Sequence, residues 1–355
     1  MMDVHARLSL VFMLFSLFTE GLSNSCIGRC GQGVNTAYNC QCNSACVRYN
    51  DCCSDYDSLC LGATCSGRCG LTHDATKPCQ CNAPCVTYGD CCSDYQSLCQ
   101  GQTTVDALSA VMQDLWNSDT NRLRDSDYTI STTGSRLFTY VNQTALSKPT
   151  FQGLIRLLDN YNIVVGQTEQ PTTSELAEVD DFMNTILATP VMAKTFTFLA
   201  NNGHITNSNS VFRNTLMELW FNLYPRSSTG PTDSSGFEHV MVGELKGTST
   251  VSGFHSWIQF YLEEKNGNLL YESFIIRKEP NMIATAISWH GIKKTKASFF
   301  LGTSPEFDMA VYTICSLVHR DSLCKFTLQN QAVSIQTWDI AHKSGYQIGS
   351  AYPSI

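Results

Sequence analysis

The feature that most constrains what this chain can fold into is a cysteine register. Sixteen of its 18 cysteines lie between Cys26 and Cys99, and the first eight superimpose on the second eight at a constant offset of 39 residues. Cys26, Cys30, Cys40, Cys42, Cys46, Cys52, Cys53 and Cys60 recur as Cys65, Cys69, Cys79, Cys81, Cys85, Cys91, Cys92 and Cys99. A unit of about 39 residues is below the size at which a hydrophobic core alone holds a fold, so covalent or metal staples must supply the missing stability. Histidine is nearly absent from the segment. An eight-cysteine unit in an oxidising compartment forms disulfides more readily than it holds zinc, which favours four bridges per unit. Spacing alone leaves about 105 pairings open in each.

The compartment follows from the N-terminus. A short polar segment ending at Arg7 runs into an apolar stretch, Leu8 to Phe18, that suits a signal-peptide core and is too short to span a bilayer. Small residues at Gly21 and Ser23 place cleavage nearby, so residues 1–22 are expected to be removed. With no other apolar run of spanning length, the expected product is secreted, extracellular and free of membrane insertion. The sequon Asn142-Gln143-Thr144 fits that route as a glycosylation site at Asn142. A formal charge of −8 argues against a broad basic face for nucleic acid, so any polyanion has to be held locally.

Residues 23–61 and 62–100 form the two modules, and after the polar stretch Gln100 to Thr104 the composition changes, leaving residues 104–355 as one larger domain. Its first half reads as helical. Leu176, Val179, Met183, Ile186 and Leu187 share a helix face with Thr173 or Ser174 as cap, and Phe212, Leu216, Leu219 and Leu223 repeat the pattern between Ser210 and Tyr224. From about Phe237 the signals become strands mixed with single helices. Val240–Lys246 reads as a strand, Ser256–Lys265 as a helix stopped by Asn266-Gly267, Leu269–Ile276 and Ser298–Leu301 as strands. Ser304-Pro305 is a helix start, and Ala332–Tyr352 carries two strand-like runs turning at Lys343-Ser344-Gly345. The expectation is α+β, with a helical lobe leading and antiparallel sheets following. Cys315 and Cys324 are expected to pair, because ten residues can turn back on themselves in an oxidising environment.

Neither a His-Glu-x-x-His zinc site, a Gly-x-Ser-x-Gly elbow nor a Gly-x4-Gly-Lys-Ser/Thr phosphate loop is present, which removes support for common proteases and P-loop enzymes. Two histidines stand in matched settings: Gly236-Phe-Glu-His239 and Ser252-Gly-Phe-His255. Downstream lies a lysine cluster in Trp289-His-Gly-Ile-Lys-Lys294-Thr-Lys-Ala-Ser298, followed by Gly302-Thr-Ser-Pro-Glu-Phe307 and the closing Gly349-Ser-Ala-Tyr-Pro353.

On those motifs the region from about residue 104 onward resembles the poly(U)-specific, XendoU-type endoribonucleases. The cysteine pattern with Tyr49-Asn-Asp-Cys-Cys-Ser-Asp-Tyr56 and its copy Tyr88-Gly-Asp-Cys-Cys-Ser-Asp-Tyr95 resembles the somatomedin B domain. The second resemblance implies pairing of first with fourth, second with eighth, third with seventh and fifth with sixth cysteine, and an extracellular protein partner bound around Cys46–Cys53 and Cys85–Cys92. Tyr49, Tyr56, Tyr88 and Tyr95 are either contact residues or covers for the disulfides. The first resemblance implies cleavage of single-stranded RNA at uridines, with His239, His255 and Lys294 as the catalytic trio. Lys293 and Lys296 are close alternatives to Lys294. It further implies that Ser350 hydrogen-bonds and Tyr352 stacks on the uracil, and that Glu238 and Glu244 are acidic positions contributing on the substrate side. RNA carries its own nucleophile, the 2′-hydroxyl, so a base, an acid and a cation suffice to give 2′,3′-cyclic phosphate and 5′-hydroxyl ends. The family is also stimulated by manganese, an ion that prefers oxygen ligands. Glu238, Glu244, Glu263 and Glu264 are candidates for it, without a defined site. The competing reading is a non-catalytic extracellular binding or matrix protein; the intact trio argues against it.

Overall fold

The computed structural model describes residues 25–26, 29–43, 45–49, 51–65, 73–82, 84–93, 95, 105–340 and 347–355. The segment read as a signal peptide, Cys69 and Cys99, the polar stretch at 100–104 and the turn at Lys343–Gly345 lie outside them. The chain divides into two compact units, residues 1–102 and 103–355.

In the first unit each module is built around its own disulfides. Cys26–Cys42, Cys30–Cys60, Cys40–Cys53 and Cys46–Cys52 close the first, and Cys65–Cys81, Cys79–Cys92 and Cys85–Cys91 repeat that pairing in the second. The short helices α1 (Cys46–Tyr49), α2 (Tyr56–Cys60) and α3 (Cys85–Tyr88) are hung on these bridges. Tyr56 and Tyr95 are buried among the cystines, whereas Tyr49 and Tyr88 are 68% and 78% exposed. The alternation between cover and contact is thus resolved pairwise: Tyr56 and Tyr95 are core, and Tyr49 and Tyr88 face solvent.

The second unit begins with helix α4 (Val105–Ser118) and the hairpin β1 (Tyr128–Ile130) and β2 (Phe138–Val141). Helices α5 (Gln143–Leu146), α6 (Pro149–Leu157), α7 (Thr173–Leu187), α8 (Pro190–Asn201) and α9 (Asn209–Trp220) follow. The cap of α7 is Thr172, one residue earlier than the sequence reading placed it. Its hydroxyl accepts from Glu175 N while the Glu175 carboxylate accepts from Thr172 N, a reciprocal box that fixes the first turn. Leu176 instead points outward, 54% exposed, and Phe182 joins Val179, Met183 and Ile186 on the buried face.

After α9 come β3 (Glu244–Lys246), β4 (Thr250–Ser252) and α10 (Trp257–Asn266). The antiparallel meander β5 (Leu269–Lys278), β6 (Met282–Trp289) and β7 (Ile292–Phe300) forms one sheet. Helix α11 (Pro305–Val318) leads into a second, where β9 (Gln331–Asp339) lies between β8 (Leu323–Leu328) and β10 (Ile348–Pro353). Ser304 caps α11 by accepting from Phe307 N, with Pro305 at the first position. All of α11 but its last two residues is buried, and it packs against α4, α6 and α8 on the helical side and β9 and β10 on the sheet side. Cys315 on α11 bonds Cys324 on β8, tying the helix to the sheet edge. The architecture is α+β as expected.

Two local readings are corrected. Residues 240–242 are not strand: Glu238–Val242 form a π-helical turn, and only Glu244–Lys246 are extended. Val240, Met241 and Val242 are all buried, so their apolar run reflects enclosure on every side and not alternation on a sheet. Strand β6 has no periodic signal because it is central and buried nearly throughout, and its Ala, Thr and Ser residues dilute the apolar run.

Candidate active site

The π-helical turn carries His239. Phe237, just before it, is fully buried against Tyr161, Phe182 and Phe221, which anchors the turn. Strands β3 and β4 then bring the chain back. Phe254 N donates to His239 O at 3.0 Å and His255 N to Val240 O at 2.7 Å, so the backbone of the second histidine is bonded to that of the first. Gly253 makes this approach possible. Its φ is +64°, and a Cβ there would lie 1.8 Å from His239 O. Phe254 is also left-handed, at φ 68°, and is held by packing of its buried ring against Trp289 and Phe260. Strained backbone of this kind next to a reactive side chain is a mark of functional sites. The imidazole centroids end up 6.4 Å apart.

Each imidazole has one nitrogen fixed. His239 Nδ1 lies 2.7 Å from Glu244 Oε2, and His255 Nδ1 lies 2.9 Å from the carbonyl of Ser298. Carboxylate and carbonyl oxygens accept, so both Nδ1 atoms carry a proton and both Nε2 atoms are left for chemistry. Behind His239, Glu244 is bonded to Arg226 Nε at 3.0 Å and to the Ser234 hydroxyl. Arg226 also donates from Nη1 to Gly349 O at 2.8 Å, connecting the Glu244–His239 pair to strand β10. From β10, Ser350 Oγ sits 3.1 Å from His239 Nε2, and the Tyr352 ring stacks on His255 with centroids 4.6 Å apart and planes 18° from parallel.

Burial drives His255 down to about 3, aided by the nearby Lys294 ammonium, while its bond to Ser298 O pulls the other way. The imidazole is therefore neutral at physiological pH. Lys294, on β7, is lowered to about 8 by burial, and its Nζ is 3.4 Å from Val251 O. These groups line a cavity of about 290 Å³ together with Ser252, Gly253, Lys296, Ser298 and Trp338.

Of the residues singled out in the sequence, His239, His255, Lys294, Ser350 and Tyr352 meet at this cavity. Lys293 does not; its side chain is 76% exposed and lies 4.0 Å from Glu272. Glu244 stands behind His239, and Glu238 points into the interior, so neither lines the space where a substrate would sit. Both oxygens of Glu238 are buried without a hydrogen-bond partner, and desolvation, then Glu244, pushes the carboxyl up to about 10. A carboxyl held protonated in the fold and ionised in the unfolded chain stabilises the fold fully below about 4.5, and that stability drains away as pH rises toward 10. Glu238→Gln, which removes the titration but keeps the shape, is expected to flatten the loss of thermal stability between pH 6 and 9 measured by calorimetry; an unchanged slope would remove Glu238 as its source.

The carboxylates suggested for manganese do not converge. Glu244 is taken by Arg226, Ser234 and His239, Glu263 accepts from Trp289 Nε1, and Glu264 accepts from Leu137 N and Phe138 N. Among the described residues the only convergent sets of three or more Cys, His, Asp or Glu ligands are Cys26, Cys42, Cys53 and Cys65, Cys81, Cys92, all oxidised into disulfides. The donor set thus does not fit a resident manganese ion. Sequence reasoning missed Arg226, Ser234, Gly253, Ser298 and Trp338. Only Gly253 left a trace, as the glycine two residues before His255, matched in looser form by Gly236 three residues before His239.

A helical lobe followed by two antiparallel sheets, with paired histidines and a lysine at their junction, defines a nuclease-like arrangement, and comparison with known proteins is specific. The model of the endoribonuclease XendoU family matches residues 107–353, so the chain belongs to that family; two somatomedin B domains match residues 24–63 and 63–102. A uridylate-specific endoribonuclease of Paralichthys olivaceus is 43% identical over 98% of this chain and 99% of its own. That of Homo sapiens is 34% identical, covering 92% and 76%. The solved structure titled "The structure of XendoU: a splicing independent snoRNA processing endoribonuclease" superimposes with a TM-score of 0.60 at 34% identity, over 69% of this chain and 96% of that one. No helix among the described residues is long and apolar enough to cross a membrane.

Proposed function

We propose that this protein is a secreted endoribonuclease that cuts single-stranded RNA at uridines by attack of the 2′-hydroxyl on the adjacent phosphate. The observation that carries this reading is the meeting of His239, His255 and Lys294 with Ser350 and Tyr352 around one cavity. His255, neutral and with its Nδ1 proton held by Ser298 O, presents the Nε2 lone pair that takes the 2′-hydroxyl proton. The 2′-oxygen bonds to phosphorus and the bond to the 5′-oxygen breaks. His239, whose positive form is stabilised by Glu244, returns a proton to that oxygen. Lys294 places an ammonium beside the phosphate oxygens as charge gathers on them. The products are a 2′,3′-cyclic phosphate and a 5′-hydroxyl. Ser350 and Tyr352 select uracil.

Secretion behind residues 1–22, a glycan at Asn142 and an extracellular protein partner for the modules complete the proposal. Asn142 Nδ2 donates to Asp127 Oδ1 at 2.7 Å, and an amide bearing a sugar retains one N–H for that bond. Exposed Tyr49 and Tyr88 are the natural contact residues. Manganese stimulation is retained as a proposal without a role in any step.

The test compares an oligoribonucleotide containing a single uridine with its 2′-deoxyuridine counterpart, with and without manganese, for wild type and His239→Ala. Cleavage of the ribose substrate alone, lost in the variant, is expected. Equal cutting of both substrates, or a fully active variant, would overturn the reading. A pH profile gives a second check. Lys294 loses its proton as pH rises through about 8, so kcat/KM is expected to fall above that pH. Lys294→Arg, with a guanidinium that stays charged, should shift this alkaline limb upward even if its maximum is lower; an unmoved limb assigns it to another group.

A further inference from the structure

Building on that reading, we propose that Lys296 is a second phosphate contact, an ammonium that holds the phosphodiester next to the one being cut. The catalytic cavity is lined by two lysines, Lys294 and Lys296, and by no carboxylate. An irregularity in β7 brings both there. From Thr285 to Ile287 β6 advances two residues, while their partners on β7, Ala297 and Lys294, are three apart. The extra residue makes a bulge, a device that re-aims side chains and that gathers beside active sites. Lys293, just before it, is drawn off toward Glu272. The Lys296 Nζ donates to Ile355 O, just past the end of β10. An ammonium has three N–H groups, so this bond orients it and leaves the others for a ligand. Among the described residues no Asp or Glu side chain forms an ion pair with Lys294 or Lys296.

The two lysines stand in different settings. Lys294 is half-buried, and its charge is the one that His255 feels, which sets it over the scissile phosphate. Lys296 is exposed and turned toward the chain beyond Tyr352, outside the reacting trio. Two residues along an extended strand span about 6.6 Å, comparable with one nucleotide step of an unstacked RNA backbone, so ammonium groups spaced in this way meet successive phosphates. A phosphate oxygen gains more than a neutral acceptor from a charged donor. In a chain of net charge −8 a polyanion is held only where such cations are placed. The contact rewards an RNA strand that continues past the cleaved bond and adds no preference for sequence, because a phosphate carries none.

The experiment uses full-length protein and three short oligoribonucleotides, each with a single central uridine. One is unmodified, one carries an uncharged methylphosphonate on the 5′ side of the uridine, and one carries it at the next linkage 3′ of the scissile phosphate. At low ionic strength wild type is expected to lose about fivefold in kcat/KM on one of the neutralised substrates, the upper range for an exposed ion pair. Lys296→Ala should cut the unmodified substrate about fivefold more slowly and no longer distinguish it from that neutralised one, while Lys296→Arg and Lys293→Ala should keep the distinction. A side chain that only ties β7 to Ile355 would lower the melting temperature of Lys296→Ala and leave the wild-type ratio intact. That result overturns the proposal, as does a wild type that treats all three substrates alike, or a distinction lost equally in Lys293→Ala. Absence of cleavage of every oligonucleotide would instead count against the endoribonuclease reading on which the contact rests.

Discussion

With alanine at position 255, kcat/KM on a uridine oligonucleotide is expected to fall by about 10²–10⁴, the usual worth of a positioned general base. The size follows from how fully the protein commits that imidazole. Its Nδ1 is bonded to Ser298 O at 2.9 Å, its ring is stacked on Tyr352, and its backbone N–H is bonded to Val240 O. Burial beside Lys294 keeps it unprotonated down to about pH 3, so no part of the physiological range charges it. His255→Ala leaves Ser298 O without its donor, costing about 1–3 kcal/mol of stability, too little to unfold a domain of this size. The loss should therefore appear in activity, with a modest drop in melting temperature. Added imidazole, small enough for the vacated space, is expected to restore part of the rate in the variant and none in wild type. Activity within tenfold of wild type would exclude His255 as the base.

The same residue illustrates what was legible in the sequence. His239 and His255 could be picked out because each sits in a glycine-aromatic context, and the cysteine register fixed the modules without any structural input. What the sequence could not convey is why the two histidines meet. Their approach depends on hydrogen bonds from Phe254 N and His255 N to the carbonyls of His239 and Val240, and backbone bonds across a π-helical turn leave no side-chain pattern. The turn itself read as strand, because three consecutive buried apolar residues look the same in either setting. Arg226 was invisible for a related reason. Its meaning comes from reaching both Glu244 and Gly349 O, groups separated from it by 18 and 123 residues, and no local window contains that geometry.

The glutamates show the opposite error. Glu238 and Glu244 stand six residues apart in sequence on either side of His239, and were read together as substrate-side acids. In the fold they do different things: Glu244 orients an imidazole and balances an arginine, while Glu238 is enclosed, unpartnered and uncharged at neutral pH. Sequence proximity conveyed that both belong near the site, and burial decided their protonation.

Alanine at Gly253 is expected to lower kcat/KM by at least about 10², although the substitution adds one methyl group outside the reacting trio. That Cβ would lie 1.8 Å from His239 O, 2.7 Å from His239 C and 3.0 Å from His239 Cγ. These are mostly backbone atoms of the catalytic turn, so no flexible side chain can swing away. Relief requires His239 to move by the order of an ångström, and a displacement of that size in a catalytic group typically costs about 10²-fold. The left-handed φ of +64° adds strain of about 1–2 kcal/mol for any residue with a Cβ. Gly247, in the β3–β4 turn, separates the two effects: its φ is +58° and nothing lies within 4 Å of its would-be Cβ. Gly247→Ala should therefore show the conformational cost as a lower melting temperature while cleaving RNA at nearly the wild-type rate, and Gly253→Ala should show that cost plus the catalytic loss. If both variants lose stability equally and both remain active, the close approach of Gly253 to His239 does not set the geometry of the site.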